Sequence, residues 1–160
     1  MMISSLSTCE GPWVLASENE FSTEWVPPGF FVARVDGNVQ LSLDAVYDSF
    51  VSELSFPGYF GRNFNALHDC LTDLEWLSAP GYVIVLKNFG HVSACMSFDL
   101  LTGLLDVLND VGKEWSVKQE EAYTPGRTAI LFKTVVEMTS FRDDSSAMVM
   151  REYITSLGNQ

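Results

Sequence analysis

The sequence predicts an α/β fold: a small three-stranded parallel β-sheet packed with helices, with extra segments at both ends of the chain. Three observations point there. Tyr82 to Leu86 (YVIVL) is an unbroken apolar run of strand length, the pattern of a strand buried on both faces. Two more strand-like runs, Phe30 to Val35 and Thr128 to Val136, flank it at a distance, and helix-periodic sequence fills each interval. Strands joined by helical crossovers pair in parallel through right-handed connections.

Each element has its own signal. Residues 1–29 read as an irregular arm packed on the body, because free tails seldom carry two tryptophans, here Trp13 and Trp25. Pro27-Pro28-Gly29 closes the arm. After the first strand, Asp36-Gly37-Asn38 forms a turn, but too little strand character follows for a hairpin. Leu43, Val46, Tyr47, Phe50, Val51 and Leu54 lie on one face of a helix capped by Ser42. A second helix starts near Asn63 and buries Phe64, Leu67, Leu71 and Leu74, with Cys70 toward the apolar side. A third runs from about Phe98 to Val111, burying Phe98, Leu101, Leu104, Leu105 and Leu108. Residues 30–136 thus form the main domain. Residues 137–160 form an extension, helical from Ser145 to Leu157 and stopped by Gly158.

Composition narrows the function. The 21 acidic and 9 basic residues give a net charge of −12, which repels phosphate backbones and anionic membranes and suits a basic partner. Solubility alone also explains such a charge. Cys9, Cys70 and Cys95 form no disulfide framework, no signal peptide is evident, and no apolar run is long enough to span a membrane, so a cytoplasmic location is expected. Phosphate-binding and dinucleotide-binding loops and nucleophile elbows are absent from the sequence. His91 and Cys95 are too few ligands for a metal, so neither metal nor cofactor is expected. His68, Asp69 and Cys70 are consecutive on a helix, about 100° apart, and cannot form a relay. Non-enzymatic function follows.

The stretch from Phe56 to Trp76, FPGYFGRNFNALHDCLTDLEW, carries the most specific signal. Pro57, Tyr59, Phe60, Gly61, Asn63, Phe64, Ala66, Leu67, Asp69, Cys70, Leu71 and Thr72 fall at the spacing P-x-Y-aromatic-G-x-N-hydrophobic-x-A-L-x-D-C-L-T. In this it resembles the barstar family, intracellular inhibitors of barnase-type ribonucleases. The flanking strands agree, and the resemblance runs from about Phe30 to Val135. It implies a protein that binds one copy of a basic ribonuclease and blocks its RNA-binding cleft, as in bacterial immunity or toxin–antitoxin pairs. Asp69 matches the central carboxylate that stands in for the scissile phosphate. Tyr59 matches a loop tyrosine that meets the enzyme's catalytic histidine. Asn63 matches an asparagine at the start of the binding helix and also suits its N-cap. Ala66 matches a small residue permitting close approach, Thr72 a rim contact, and Asp110 a peripheral acid.

The departures from the family pattern are Asn65 for an aspartate, His68 and Leu74 for aromatics, and Asp73 for a glycine. The expected partner-binding set is therefore Tyr59, Asn63, Asn65, Ala66, His68, Asp69, Thr72, Asp73 and Asp110. Gly61 is expected at a positive-φ turn position. The departures also leave open an adaptor of the same fold with a partner other than a ribonuclease. Protonation of His68 is expected to weaken binding to a cationic partner.

Overall fold

The computed structural model describes residues 3–37, 42–92, 97–117, 129–141 and 144–160. In chain order the elements are β1 (Val14–Ser17), β2 (Phe31–Asp36), α1 (Leu43–Leu54), α2 (Phe64–Asp73), β3 (Gly81–Lys87), the short α3 (Phe89–Val92), α4 (Phe98–Ser116), β4 (Leu131–Glu137) and α5 (Asp144–Leu157). The sheet order is β1-β4-β3-β2, and every pairing is parallel. The mixed fold matches expectation, but the sheet has four strands instead of three. The extra strand is β1, in the stretch that reads as irregular. At four residues, with Ser17 at its end, VLAS shows no period of its own. Pairing along β4 makes it a strand, in register from Val14 opposite Thr134 to Ser17 opposite Glu137.

Side-chain alternation divides the sheet's two faces. Tyr82, Ile84 and Leu86 of β3 join Phe132 and Val136 of β4 in the main core beneath α1, α2 and α4. Val83, Val85 and Val135 point the other way and are covered by Leu6 and Phe21, with Trp25, Val26 and Phe30 packed around them. The apolar run of β3 is therefore buried twice, by helices on one side and by the N-terminal segment on the other. Between β1 at one edge and β2 at the other, the chain crosses this second face.

Two charged residues of β4 fasten that crossing. Lys133 and Glu137 are 1% and 2% exposed. The Lys133 ammonium donates to the Pro12 carbonyl at 2.8 Å and to the Glu10 carbonyl. Glu137 Oε1 accepts the Phe21 N–H at 2.8 Å. Burial pulls the Lys133 pKa down to about 8, against the opposing influence of Cys9 and Glu10. Trp13 packs on α4, where a Cβ on Gly112 would lie 2.5 Å from the Trp13 Cβ, so only glycine admits this contact.

The helices begin where their caps dictate. Ser42 Oγ accepts the Ala45 N–H at 3.2 Å, and Ser97 Oγ accepts the Leu100 N–H at 3.3 Å. Helix α4 continues one turn beyond the apolar stripe and ends at Ser116, with buried Trp115 in that added turn. Phe98 departs from expectation. It is 48% exposed, because the first turn of α4 overhangs the core, and its ring meets Tyr153 of α5 edge-on at 6.1 Å.

Lys133 yields a pH test. Its folded pKa of about 8 lies below the ordinary 10.5, so between these values the unfolded chain binds more protons and stability rises with pH. Urea titrations from pH 7 to 10.5 should show wild type gaining stability relative to Lys133→Met across that window. Parallel profiles for the two proteins would refute the assignment.

Candidate functional site

The loop from Pro57 to Arg62 and the start of α2 are shaped by a few local constraints. The Phe60 N–H donates to the Pro57 carbonyl at 3.0 Å, closing a turn. Phe60 then lies edge-on against Phe56 at 5.0 Å and Tyr47 at 5.6 Å. With Phe60 filling that space, Tyr59 points outward and is 74% exposed. Desolvation first, then the Asp73 carboxylate, hold the Tyr59 phenol above its ordinary pKa. Tyr59 thus borders the acidic end of α2.

The left-handed residue of this loop is Arg62, at φ 52°, and not Gly61 as the sequence suggests. Gly61 sits in a close-packed turn: a Cβ there would lie 3.3 Å from both the Ala66 Cβ and Asn63 Nδ2. The strained turn at Arg62 is held from α1. Its Nη1 lies 2.9 Å from Asp48 Oδ1, its Nη2 2.8 Å from the Asp44 carbonyl, and its guanidinium lies over the Tyr47 ring at 5.9 Å. The hydrogen bond to Asp48 leads in raising the Arg62 pKa.

Asn63 caps α2 as expected. Its Oδ1 accepts the Ala66 N–H at 2.8 Å, and its Nδ2 donates to the Gly61 carbonyl at 3.1 Å. The helix is then located by its inner face. A Cβ on Gly103 of α4 would lie 2.8 Å from the Phe64 ring, so the glycine lets α2 and α4 approach closely. The Trp115 indole donates to the Leu71 carbonyl at 2.9 Å, satisfying a group in the last turn of α2. Leu67, Cys70 and Leu71 are buried. Burial raises the Cys70 thiol pKa and keeps it unreactive.

The outer face carries Asn65, Asp69 and Asp73, all exposed, with Ala66, His68 and Thr72 at its partly buried margins. The Asp69 side chain is 83% exposed at the centre of this face. The Thr72 hydroxyl donates back to the His68 carbonyl at 2.9 Å, within its own helix. Leu74 takes no part. It ends α2 in the left-handed conformation at φ 44° and is only 2% exposed.

On the far margin, His68 Nε2 approaches Glu114 Oε2 of α4 at 3.2 Å. Asp110, also exposed, lies one turn before Glu114 on the same side of α4. Glu114 is the site residue that sequence reasoning misses. Its only signal is the four-residue spacing from Asp110, and that counts only once α4 is known to run past Val111. His68 Nδ1 is 3.8 Å from Asp69 Oδ1, beyond hydrogen-bond length, and Cys70 turns into the core, so the three consecutive residues form no relay.

The result is an acidic surface. Tyr59 stands at one flank, Asp73 and Asp69 in the middle, and His68, Glu114 and Asp110 at the other. Helix α2 contains no lysine or arginine, and the segment from Asp44 to Glu114 has 10 acidic against 3 basic residues, a net of −7. Arg62 in this stretch is already committed to Asp44 and Asp48. The surface can accept hydrogen bonds from several cations at once. Among the described residues, no group of three or more His, Cys, Asp or Glu is placed to hold a metal, and no helix is long and apolar enough to cross a membrane. The Cys95 of the His91–Cys95 pair lies outside the described residues.

A family model described as "Barstar (barnase inhibitor)" matches residues 30–137. The "Putative ribonuclease inhibitor YrdF" of Bacillus subtilis (strain 168) is 42% identical over 55 residues, covering 34% of this chain and 57% of that relative. The chain therefore spans little more than half of that protein's length.

The cap supplies a structural test. Asn63→Ala should destabilise the fold by about 1 kcal/mol, and Asn63→Asp should recover most of the loss because aspartate also caps. Chemical denaturation of the three proteins checks this. Equal stabilities would mean that the side chain of Asn63 does not fix the start of α2.

Proposed function

We propose, from the premise that this chain belongs to the Barstar family, that it is a proteinaceous ribonuclease inhibitor acting through the Tyr59–α2–α4 surface. The partner is a basic barnase-type ribonuclease, bound one to one in the bacterial cytoplasm as an immunity protein binds its toxin. The observation that carries the reading is Asp69: 83% exposed, central on a helix without cations, and flanked by Asp73 on the same face. The name of the YrdF relative, a ribonuclease inhibitor, agrees with it.

The mechanism is occupation without chemistry. A ribonuclease holds the RNA phosphate with arginine, lysine and histidine. Asp69 offers those groups a carboxylate where the scissile phosphate would sit, in charge-assisted hydrogen bonds. Tyr59 supplies an exposed aromatic at one edge of the contact, the kind of anchor that dominates such interfaces. Ala66 keeps the helix surface low enough for close approach. Asp73, Asp110 and Glu114 extend the negative field, steering encounter and making the association sensitive to salt.

An adaptor role with a non-ribonuclease partner rests on Asn65 and His68, which replace an acidic and an aromatic position of the family pattern. Leu74 gives it no support, because it is buried.

The test is binding to a purified barnase-type ribonuclease, with inhibition of RNA cleavage as the parallel readout. Asp69→Ala should weaken the complex by about 100-fold, the scale for truncating one partner of a desolvated charge pair. Glu152→Ala, an exposed acid on α5, serves as control and should change affinity by less than about twofold. Asp44 would be a poor control because it anchors Arg62 and hence the loop. Equal losses for Asp69→Ala and Glu152→Ala would refute the assignment of Asp69. A wild-type protein that binds no ribonuclease of this type would favour the adaptor.

A further inference from the structure

We infer that Arg62 is a positioning residue of the binding surface: held by Asp44 and Asp48 of α1, its side chain sets where the loop presents Tyr59 to a partner. The inference rests on the inhibitor reading and deepens it. Arg62 is the one lysine or arginine between Phe56 and Trp76, the stretch that also carries Tyr59, Asp69 and Asp73. A surface that attracts a cationic partner gains nothing from a cation of its own. The contacts of Arg62 give it another role. Nη1 donates to Asp48 Oδ1 at 2.9 Å. Nη2 donates to the Asp44 carbonyl at 2.8 Å and to Asp44 Oδ1 at 3.3 Å, and Nε to the same Oδ1 at 3.4 Å. Three nitrogens of one planar group thus reach two acids that lie one turn apart on α1.

The path from these contacts to Tyr59 is short. The Arg62 backbone is left-handed, at φ 52°, a conformation uncommon for any residue but glycine. Its guanidinium lies over the Tyr47 ring at 5.9 Å, and the same ring meets Phe60 edge-on at 5.6 Å. Tyr47 is therefore a shared seat for Phe60 and Arg62, one and three residues after Tyr59. The Phe60 N–H in turn bonds the Pro57 carbonyl at 3.0 Å, two residues before Tyr59. The Tyr59 side chain itself is 74% exposed, so its place depends on the backbone that carries it. The Asp44 and Asp48 side chains are 80% and 71% exposed, and pairs so exposed add little to the stability of a fold. Their effect is on the course of the loop.

A double-mutant cycle tests the role. Dissociation constants for a purified barnase-type ribonuclease are measured for wild type, Arg62→Ala, Arg62→Lys, Tyr59→Ala and Asp69→Ala, and for each Arg62 variant combined with Tyr59→Ala and with Asp69→Ala. Urea denaturation checks that each protein is folded. Charge and positioning predict opposite signs. Removing a cation from an acidic face leaves binding to a basic partner unchanged or tightens it. Loss of positioning weakens it. Arg62→Ala should weaken binding by about fivefold, part of the roughly thirtyfold or more that a hot-spot aromatic carries. Arg62→Lys keeps the charge but lacks the planar fork, and should weaken binding by about threefold. Both losses should vanish in the Tyr59→Ala background and persist in the Asp69→Ala background. Binding by Arg62→Ala as tight as wild type or tighter, or a loss of equal size with and without Tyr59, would overturn the positioning role and leave the inhibitor reading standing. If Arg62→Ala does not fold, Arg62→Lys decides, and an affinity equal to wild type overturns the role. Absence of binding by wild type, or binding indifferent to Asp69→Ala, would overturn both.

Discussion

Burial of β3 on both faces is the constraint on which the rest of the molecule depends. From Gly81 to Leu86 every residue of this strand is buried. A strand of that kind needs neighbours at both edges and a cover above and below. The neighbours are β2 and β4. The helices give one cover, and the N-terminal crossing gives the other. That second cover explains why a lysine and a glutamate occur within a buried strand. Lys133 and Glu137 are the polar hooks that hold an otherwise irregular segment against β4, and each is satisfied by backbone groups of that segment. Unpaired, either would be costly to bury.

The candidate surface is seated on this core. Helix α2 is seated by Phe64 against Gly103 and by Trp115 against the Leu71 carbonyl, both contacts with α4, which itself packs on β4. The loop before it is tied to α1 by Arg62. Asp69 is thus an exposed residue on a helix whose inner face, cap and preceding turn are all fixed. That is how a small, short side chain can be placed accurately at a surface. The chemistry-bearing neighbours of this surface are a buried thiol, Cys70, and a partly exposed histidine, His68, beside Glu114.

Much of the fold was legible because the strong elements announce themselves locally. The β-branched runs of β3 and β4 and the apolar stripes of α1 and α4 need no partner to be recognised, and Ser42 and Asn63 mark two of the helix starts through bonds to nearby N–H groups. What was hidden is what distant residues decide. VLAS becomes a strand only against β4. Phe98 fits the stripe of α4 but overhangs the core, since periodicity reports direction and not depth. The left-handed turn falls on Arg62 because ion pairs to α1 hold it there, which overrides the usual preference for the adjacent glycine. At the site, Tyr59, Asn65, Asp69 and Asp73 take exposed positions. Leu74 is buried, as its place on the apolar face of the second helix predicts, and the approach of Glu114 to His68 is invisible until two helices are packed together.

The Arg62 anchor has a kinetic consequence. A guanidinium that bridges Asp44 and Asp48 ties the loop to α1 without a partner, and the neighbouring Asp69, Asn65, Ala66 and Thr72 side chains have few rotamers to lose. On the proposed function, a partner would meet a loop already tied to α1, so that little ordering entropy need be spent at contact. Association can then proceed at a rate set by charge and diffusion. Differences among related partners would be written in the lifetime of the complex, in how long a cation stays seated on Asp69 before water replaces it.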